Sequence, residues 1–348
     1  MLQRILTITL IVFLPLTVIG NFLHFPEVLL FVLACVTIIP LAGIMGRATE
    51  SIAIHSGPRI GGLLNATFGN AVELIIAFLA LRQGLTQVVQ ASLTGAVIGN
   101  LLLVAGLSFL VGGIKYPIQK FNAAIARTNS SMMLLGVVIA LIIPAIFSLQ
   151  NPQIANKLSI GVAAVSLALY LLGLYFALFT HKHVFHFTED MEEESAEWSL
   201  GKASGILAAS TVAVGYVSEI LVHTIETVSH TLGWSEVFIG VIIVAIIGNA
   251  AEHSSAILMA WKNRMDVSLE IAVGSSLQIA MFVAPVLVFA GWLIAKPLPL
   301  VFSWPELAAM TLSVLLTAFL ANDGESNWLE GVMALGAYLI IGIGFYFL

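Results

Sequence analysis

Two glutamates stand where the surrounding sequence offers them no water. Residues 69–73 read Gly-Asn-Ala-Val-Glu, and residues 248–252 read Gly-Asn-Ala-Ala-Glu. Each pentapeptide lies inside a stretch apolar enough to cross a bilayer. A carboxylate at that depth costs ~2.5 kcal/mol or more on insertion scales and marks a functional site by default. Glu73 and Glu252 share one five-residue context in opposite halves of the chain. That pattern is expected of a duplicated membrane protein whose halves each give an acid to one central site.

The neighbours of the two acids supply oxygen. Asn70 and Glu73 are three residues apart and share a helix face, as do Asn249 and Glu252, with His253 alongside. Gly69 and Gly248 each remove a side chain just before the polar face, which permits local unwinding and frees backbone carbonyls. The next apolar stretch in each half carries a second polar patch, Gly95-Ala-Val-Ile-Gly-Asn100 and Gly274-Ser-Ser-Leu-Gln-Ile279. These patches add Asn100, Ser275, Ser276 and Gln278 to the inventory.

Two carboxylates with amide, hydroxyl and backbone oxygens suit a hard divalent cation, and calcium takes about 6–8 oxygens. A soft metal is a poor match, because Cys35 is the sole cysteine and His253 the one imidazole at that depth. With calcium bound, both acids stay ionised. Without it, two like charges in a low dielectric favour proton uptake. A site that holds calcium or protons, and never both, has the logic of an antiporter. A sodium-driven exchanger needs further oxygen sites, and these two helix pairs hold no extra central acids to supply them.

The elements that position these residues follow from composition. The chain has 348 residues, 59% hydrophobic and 9% charged, with a net charge of −6. A soluble domain keeps about 25% charged residues, and a mean hydropathy of +1.05 places this chain among polytopic membrane proteins. There is no basic block for nucleic acid and no cysteine framework. Arg4 followed by apolar residues 5–19 has the look of a signal peptide, but no small-residue cleavage pattern follows, so it reads as a retained first helix.

Apolar windows of about 20 residues give eleven candidate spans, at 4–22, 27–46, 60–81, 88–111, 129–149, 157–179, 203–230, 236–260, 267–293, 303–320 and 327–347. The fold expected is therefore an all-α integral membrane protein. With the N-terminus in the cytoplasm, Arg4, Arg47, Arg59, Lys115, Lys120, Arg127, Lys182, Lys202, Lys262 and Arg264 fall inside, and only Arg82, Lys157 and Lys296 outside. This positive-inside bias sets the orientation and supports the span count; the C-terminus then lies outside. The offset that carries Gly69 onto Gly248 also carries Asn70, Glu73, Ala77, Gly95 and Val104 onto Asn249, Glu252, Ala256, Gly274 and Val283 without a gap. A weaker match pairs Arg47-Ala-Thr-Glu50-Ser with His223-Thr-Ile-Glu226-Thr. The organisation read from this is a first helix at 1–24, a five-span repeat at 25–180, an acidic linker at 181–202 and a second five-span repeat at 203–348. An odd number of spans per repeat inverts the second copy, and inverted repeats place substrate at their interface near the bilayer midplane.

The paired Gly-Asn-Ala-x-Glu motifs, His253 and Gly274-Ser-Ser-Leu-Gln-Ile279 resemble the two signature repeats of the calcium/cation antiporters, in their cation/proton exchanger branch. The similarity runs over nearly the whole chain from about residue 27, and Asp323-Gly-Glu-Ser-Asn-Trp-Leu-Glu-Gly331 resembles that branch's last inter-helix turn. Ala96 and Gly99 depart from it, standing where serines are common. The resemblance implies that Glu73 and Glu252 bind the cation and carry the protons. It also makes the helices with Glu50, Glu219 and Glu226 sliding gates. The run Glu189, Asp190, Glu192, Glu193, Glu194 and Glu197 looks like the branch's cytoplasmic acidic helix, suited to calcium sensing as well as to plain solvation.

The function expected is calcium export in exchange for protons, with no organic cofactor, in a cell membrane. The alternatives are sodium/calcium exchange and manganese/proton exchange. A channel would need a continuous pore, and an enzyme would need a nucleophile–base pair that the sequence lacks. The bilayer is the expected partner, and assembly of several copies is compatible with it. His181, His183 and His186 read as interfacial histidines rather than as a metal site, and Asp323 and Glu325 as turn residues.

Overall fold

The computed structural model describes residues 2–180 and 196–348. Within them the regular structure is helical apart from one two-stranded sheet. Hydropathy dictates this, since in hydrocarbon each backbone N–H and C=O must be paired inside its own segment. Among the described residues eight helices are long and apolar enough to cross a membrane, nine if one bent pair counts as a span.

The first half starts with α1 (Leu2–Phe22) and α2 (Glu27–Phe68). Hydrogen bonding runs through α2, but Gly57 takes φ +80° and ψ 167° and kinks it there. The span expected at 27–46 thus continues to the kink, and the span expected at 60–81 begins beyond it. Next comes α3 (Ala71–Gln83), ended by Gly84 in the left-handed conformation. α4 (Thr86–Ile98) and α5 (Ala105–Lys115) are joined by a π turn at Gly99–Val104. α6 (Ala123–Met133), α7 (Ala140–Gln150) and α8 (Ala155–Tyr175) complete this half.

The second half opens with α9 (Leu200–Leu232), which runs along α2. The linker expected at 181–202 therefore gives way to helix at Leu200. A short α10 (Glu236–Phe238), a π turn at Ile239–Val244 and α11 (Ala245–Gly248) lead to α12 (Ala250–Trp261), with a bend of 61° at the break. α13 (Met265–Gln278) and α14 (Ala284–Leu293) flank a π turn at Ile279–Val283. α15 (Trp304–Leu320) is a shorter apolar helix, and α16 (Trp328–Tyr346) ends the chain.

Glycine sets the closest helix contact. A Cβ on Gly95 of α4 would collide with the backbone of Val241, and one on Gly240 would come within 2.5 Å of Ala91 Cβ. Small residues let backbones approach where lipid supplies no hydrophobic drive between helices. The result presses α4 of the first half onto the π turn before α11 of the second. Large apolar side chains such as Val212, Leu293, Phe319 and Ile340 point outward, as a lipid-facing surface requires.

At one end, β1 (Gln119–Lys120) pairs antiparallel with β2 (Glu325–Ser326), Gln119 opposite Ser326. Gly324 takes φ +81°, and Asp323 Oδ1 accepts the Glu325 N–H at 3.1 Å. Turn chemistry thus accounts for Asp323, as read from the sequence. Asn327 and Glu330 cap each other at the start of α16.

Candidate cation site

Both motif helices break at the asparagine. Asn70 has φ −102° and ψ 26°, and Asn249 has φ −92° and ψ 13°, so each interrupts the helix and stands just before the next, without a side-chain cap bond to it. Glu73 and Glu252 fall in the first turns of α3 and α12. The unpaired N–H groups and partial positive charge of a helix start favour an anion there.

Between the breaks runs a chain of amides and one hydroxyl. Asn70 Nδ2 donates to Gln278 Oε1, and Ser275 Oγ donates to Asn70 Oδ1 at 3.2 Å. Asn100 Nδ2 donates to Ser275 Oγ at 2.9 Å and to Asn249 Oδ1 at 3.1 Å. Asn249 Nδ2 returns to Ala245 O at 2.9 Å. Five of the residues singled out in the sequence are thus joined, across the two halves. The carbonyls of Asn70, Asn249 and Gln278 accept here from Ser275, Asn100 and Asn70 respectively, so they form a scaffold before they form a ligand shell. Ser276 is not brought in: its hydroxyl bonds back to Ala272 O at 3.1 Å.

The acids lie against this scaffold. Glu73 is buried, and a Cβ on Gly248 would lie 3.1 Å from Glu73 Cγ, so the glycine of one motif makes room for the acid of the other. Glu252, at the matching position of the other motif, is half-buried. Both carboxyl oxygens of Glu73, Asn100 Oδ1 and His253 Nε2 are buried with no hydrogen-bond partner among the described residues. A buried acceptor left unpaired costs ~1–3 kcal/mol, so the two Glu73 oxygens call for a proton or an occupant with positive charge. A small cavity lined by Glu73, Ser92, Ala96, Val244, Ala245 and Asn249 provides room. Among the described residues no three His, Cys, Asp or Glu side chains converge to hold a metal.

The other candidates lie apart. Glu50 on α2 and Glu226 on α9 are exposed. Glu219 sits well inside α9 and pairs with Arg82 at 2.6 Å. Glu197 reaches Arg47 at 3.2 Å, and the Arg47 guanidinium lies over Trp198. Glu189, Asp190, Glu192, Glu193 and Glu194, with His181, His183 and His186, are outside the described residues.

The sequence reading passed over Asp266 and Glu270. They line a second, larger cavity between α6, α13 and α15, with Asn129 and Thr317. Their four-residue spacing at the start of a span was the available signal. Glu306 was also missed; it is buried and accepts the Thr94 hydroxyl at 3.3 Å while capping α15.

A bundle of helices long and apolar enough to cross a membrane, packed around a buried acid and a chain of paired amides, has the architecture of an integral membrane transporter. The sodium/calcium exchanger protein family model matches residues 26–179 and 202–347, and the chain belongs to that family. It is 55% identical over 351 residues to the Ca(2+)/H(+) antiporter ChaA of Bacillus subtilis (strain 168), covering all of both chains. It is 46% identical to the Ca(2+)/H(+) antiporter of Aphanothece halophytica, over 97% of this chain and 95% of that one. The solved structure of native YfkE superposes with a TM-score of 0.88 at 52% identity, over 99% of this chain and 100% of that chain.

Proposed function

We propose that the protein exchanges calcium for protons by alternating access at one site built from Glu73 and Glu252. The observation that carries this reading is the pair of buried, unpartnered Glu73 oxygens where two helix breaks meet, with Glu252 at the matching position of the other motif. Similarity to two Ca(2+)/H(+) antiporters supports the choice of ions. Calcium bridging the two carboxylates offsets their repulsion, while protons neutralise them in its absence, so one site serves both cargoes in turn.

The architecture proposed is eleven spans in a 1 + 5 + 5 order with inverted repeats. Counting α1, α2 to Gly57, residues 58–83 across their break, α4 with α5, α6 with α7, α8, α9, α10 to α12, α13 with α14, α15 and α16 gives that number. The matching positions of the breaks support the repeat. Charge placement supports a cytoplasmic N-terminus and an external C-terminus, which makes the transport calcium export. The acidic linker is a candidate sensor on the cytoplasmic face.

Calcium uptake into everted vesicles, driven first by a proton gradient and then by a sodium gradient, tests the reading. Proton-driven uptake is expected, and Glu73→Gln or Glu252→Gln should each abolish it. Uptake that only sodium drives, or full exchange by either variant, would falsify the assignment.

A further inference from the structure

The two ends of the protein are not closed alike. α3 leads from Asn70 to Arg82 and buries Val72, Glu73, Ile76, Ala77, Ala80 and Leu81. Its counterpart α12 buries Ala256 and Ala260, while Ser254 and Ser255 are exposed and Glu252 and His253 half-buried. Gly248 is pressed on Glu73, but a Cβ on Gly69 would meet only Asn65 of its own helix turn. α3 is thus enclosed more deeply than α12, as expected of a carrier shut at the α3 end and open at the α12 end.

Among the described residues, one ion pair joins α3 to α9 at the shut end. Arg82, in the last turn of α3, places Nη2 2.6 Å from Glu219 Oε1. It links the helix that carries Glu73 to the helix that lies along α2. The constant offset between the two motifs makes Trp261 the counterpart of Arg82, and Trp261 is engaged instead by Lys115, whose Nζ donates to its carbonyl at 3.2 Å. The weaker alignment, which pairs Glu50 with Glu226, sets Gly43 opposite Glu219. The ion pair, which joins the two halves at this end, therefore has no counterpart at the other.

We infer that Arg82–Glu219 is an ionic latch that holds the α3 end closed and biases the resting protein toward the state open at α12. This rests on the alternating access proposed above, with α9 as a moving element. Both side chains are about half exposed (54% and 53%), so the pair shifts the population by a factor of about five at most. That size suits a carrier, which must pass through both states in every cycle; a much stronger latch would trap it. Arg82 is a positioning residue, acting on cargo through the fraction of protein whose site is open to the cytoplasm. A reduced fraction raises the apparent dissociation constant in proportion.

Everted vesicles present the α12 end to the bath in the orientation proposed. Proton-driven calcium uptake is measured for the parent protein, Arg82→Glu, Glu219→Arg and the double reversal. Each single reversal is expected to raise KM for bath calcium about two- to fivefold, and the double reversal to return it to within about twofold of the parent. Hydrogen exchange over residues 76–83 in detergent reads the same contact without flux, rising in the single variants and recovering in the double. Arg82→Gln and Glu219→Gln replace any reversal that does not fold, with KM and exchange rising in each and non-additive in the pair. Single reversals with parental KM and exchange, or a double reversal as impaired as the worse single, would overturn the latch and leave the antiport reading intact. A parent protein without proton-driven uptake would instead overturn the antiport reading, and the exchange data would still judge the contact.

Discussion

Replacing Asn100 with alanine tests whether the amide chain holds the site in shape. Asn100 is fully buried and donates to Asn249 Oδ1 at 3.1 Å and to Ser275 Oγ at 2.9 Å. Its loss strands Asn249 Oδ1, whereas Ser275 Oγ keeps its bond to Asn70 Oδ1. A stranded buried acceptor costs ~1–3 kcal/mol, though membrane double-mutant cycles give single hydrogen bonds only ~0.6 kcal/mol on average and ~1.7 at most. Asn100→Ala should thus cost about 1–3 kcal/mol of stability in detergent. Ser275→Ala strands Asn70 Oδ1 and should cost a similar amount. The two residues share one bond, so the double variant should cost less than the sum by about 0.6–1.7 kcal/mol. Because Asn249 stands just before the helix that carries Glu252 in its first turn, the same variants should weaken apparent calcium affinity in vesicles by about fivefold or more, the equivalent of ~1 kcal/mol. Strict additivity together with an unchanged KM would show that the chain of amides does not shape the site.

Two further outcomes follow from the packing and the surface. Gly95→Ala must force α4 away from Val241, at about 1–3 kcal/mol, and should lower both thermal stability and uptake. Gly274→Ala at the matching position of the other half meets nothing within 4 Å and should be tolerated in the same two measurements. Lys120→Gln removes an exposed pair with Glu325 at 3.4 Å. Its effect on melting should stay below ~1 kcal/mol and vanish in high salt.

The two acids were legible because a buried charge is so costly that its mere presence in an apolar run carries information. Their partners Asn70, Asn249, Asn100, Ser275 and Gln278 were legible by type and depth, but the pairing among them was not. Each consecutive helical residue turns the side chain through about 100°, which is enough to send Ser276 back to its own helix while Ser275 enters the network. Arg82–Glu219 was hidden for another reason. The partners are far apart in sequence and both partly exposed, so neither carries the mark of a costly position. Asp266 and Glu270 sit near a helix start, where acids are favoured with no site at all. Local composition therefore finds groups that are expensive where they stand, and misses those whose meaning comes from a distant neighbour.

Backbone irregularity is the part of the site that composition leaves unmarked, and beside the acids it recurs in both halves, although the π turns at Leu134–Ile139 and Ile239–Val244 fall opposite unbroken helix. The helix breaks at Asn70 and Asn249 stand in the same register as the two motifs. That register carries the π turn at Gly99–Val104 onto residues 278–283, where the second half has its own at Ile279–Val283. A π turn accommodates an extra residue and changes which face the following helix presents. Asn100 lies inside the first turn, and Gln278 immediately precedes the second. Their neighbours Leu101, Leu102, Ala280 and Met281 are apolar and would fit an unbroken helix equally well, so nothing in them announces the departure. What recurs is thus a geometry as well as a motif: a helix broken to present an acid, beside a helix whose irregular turn lies at the amide that supports it.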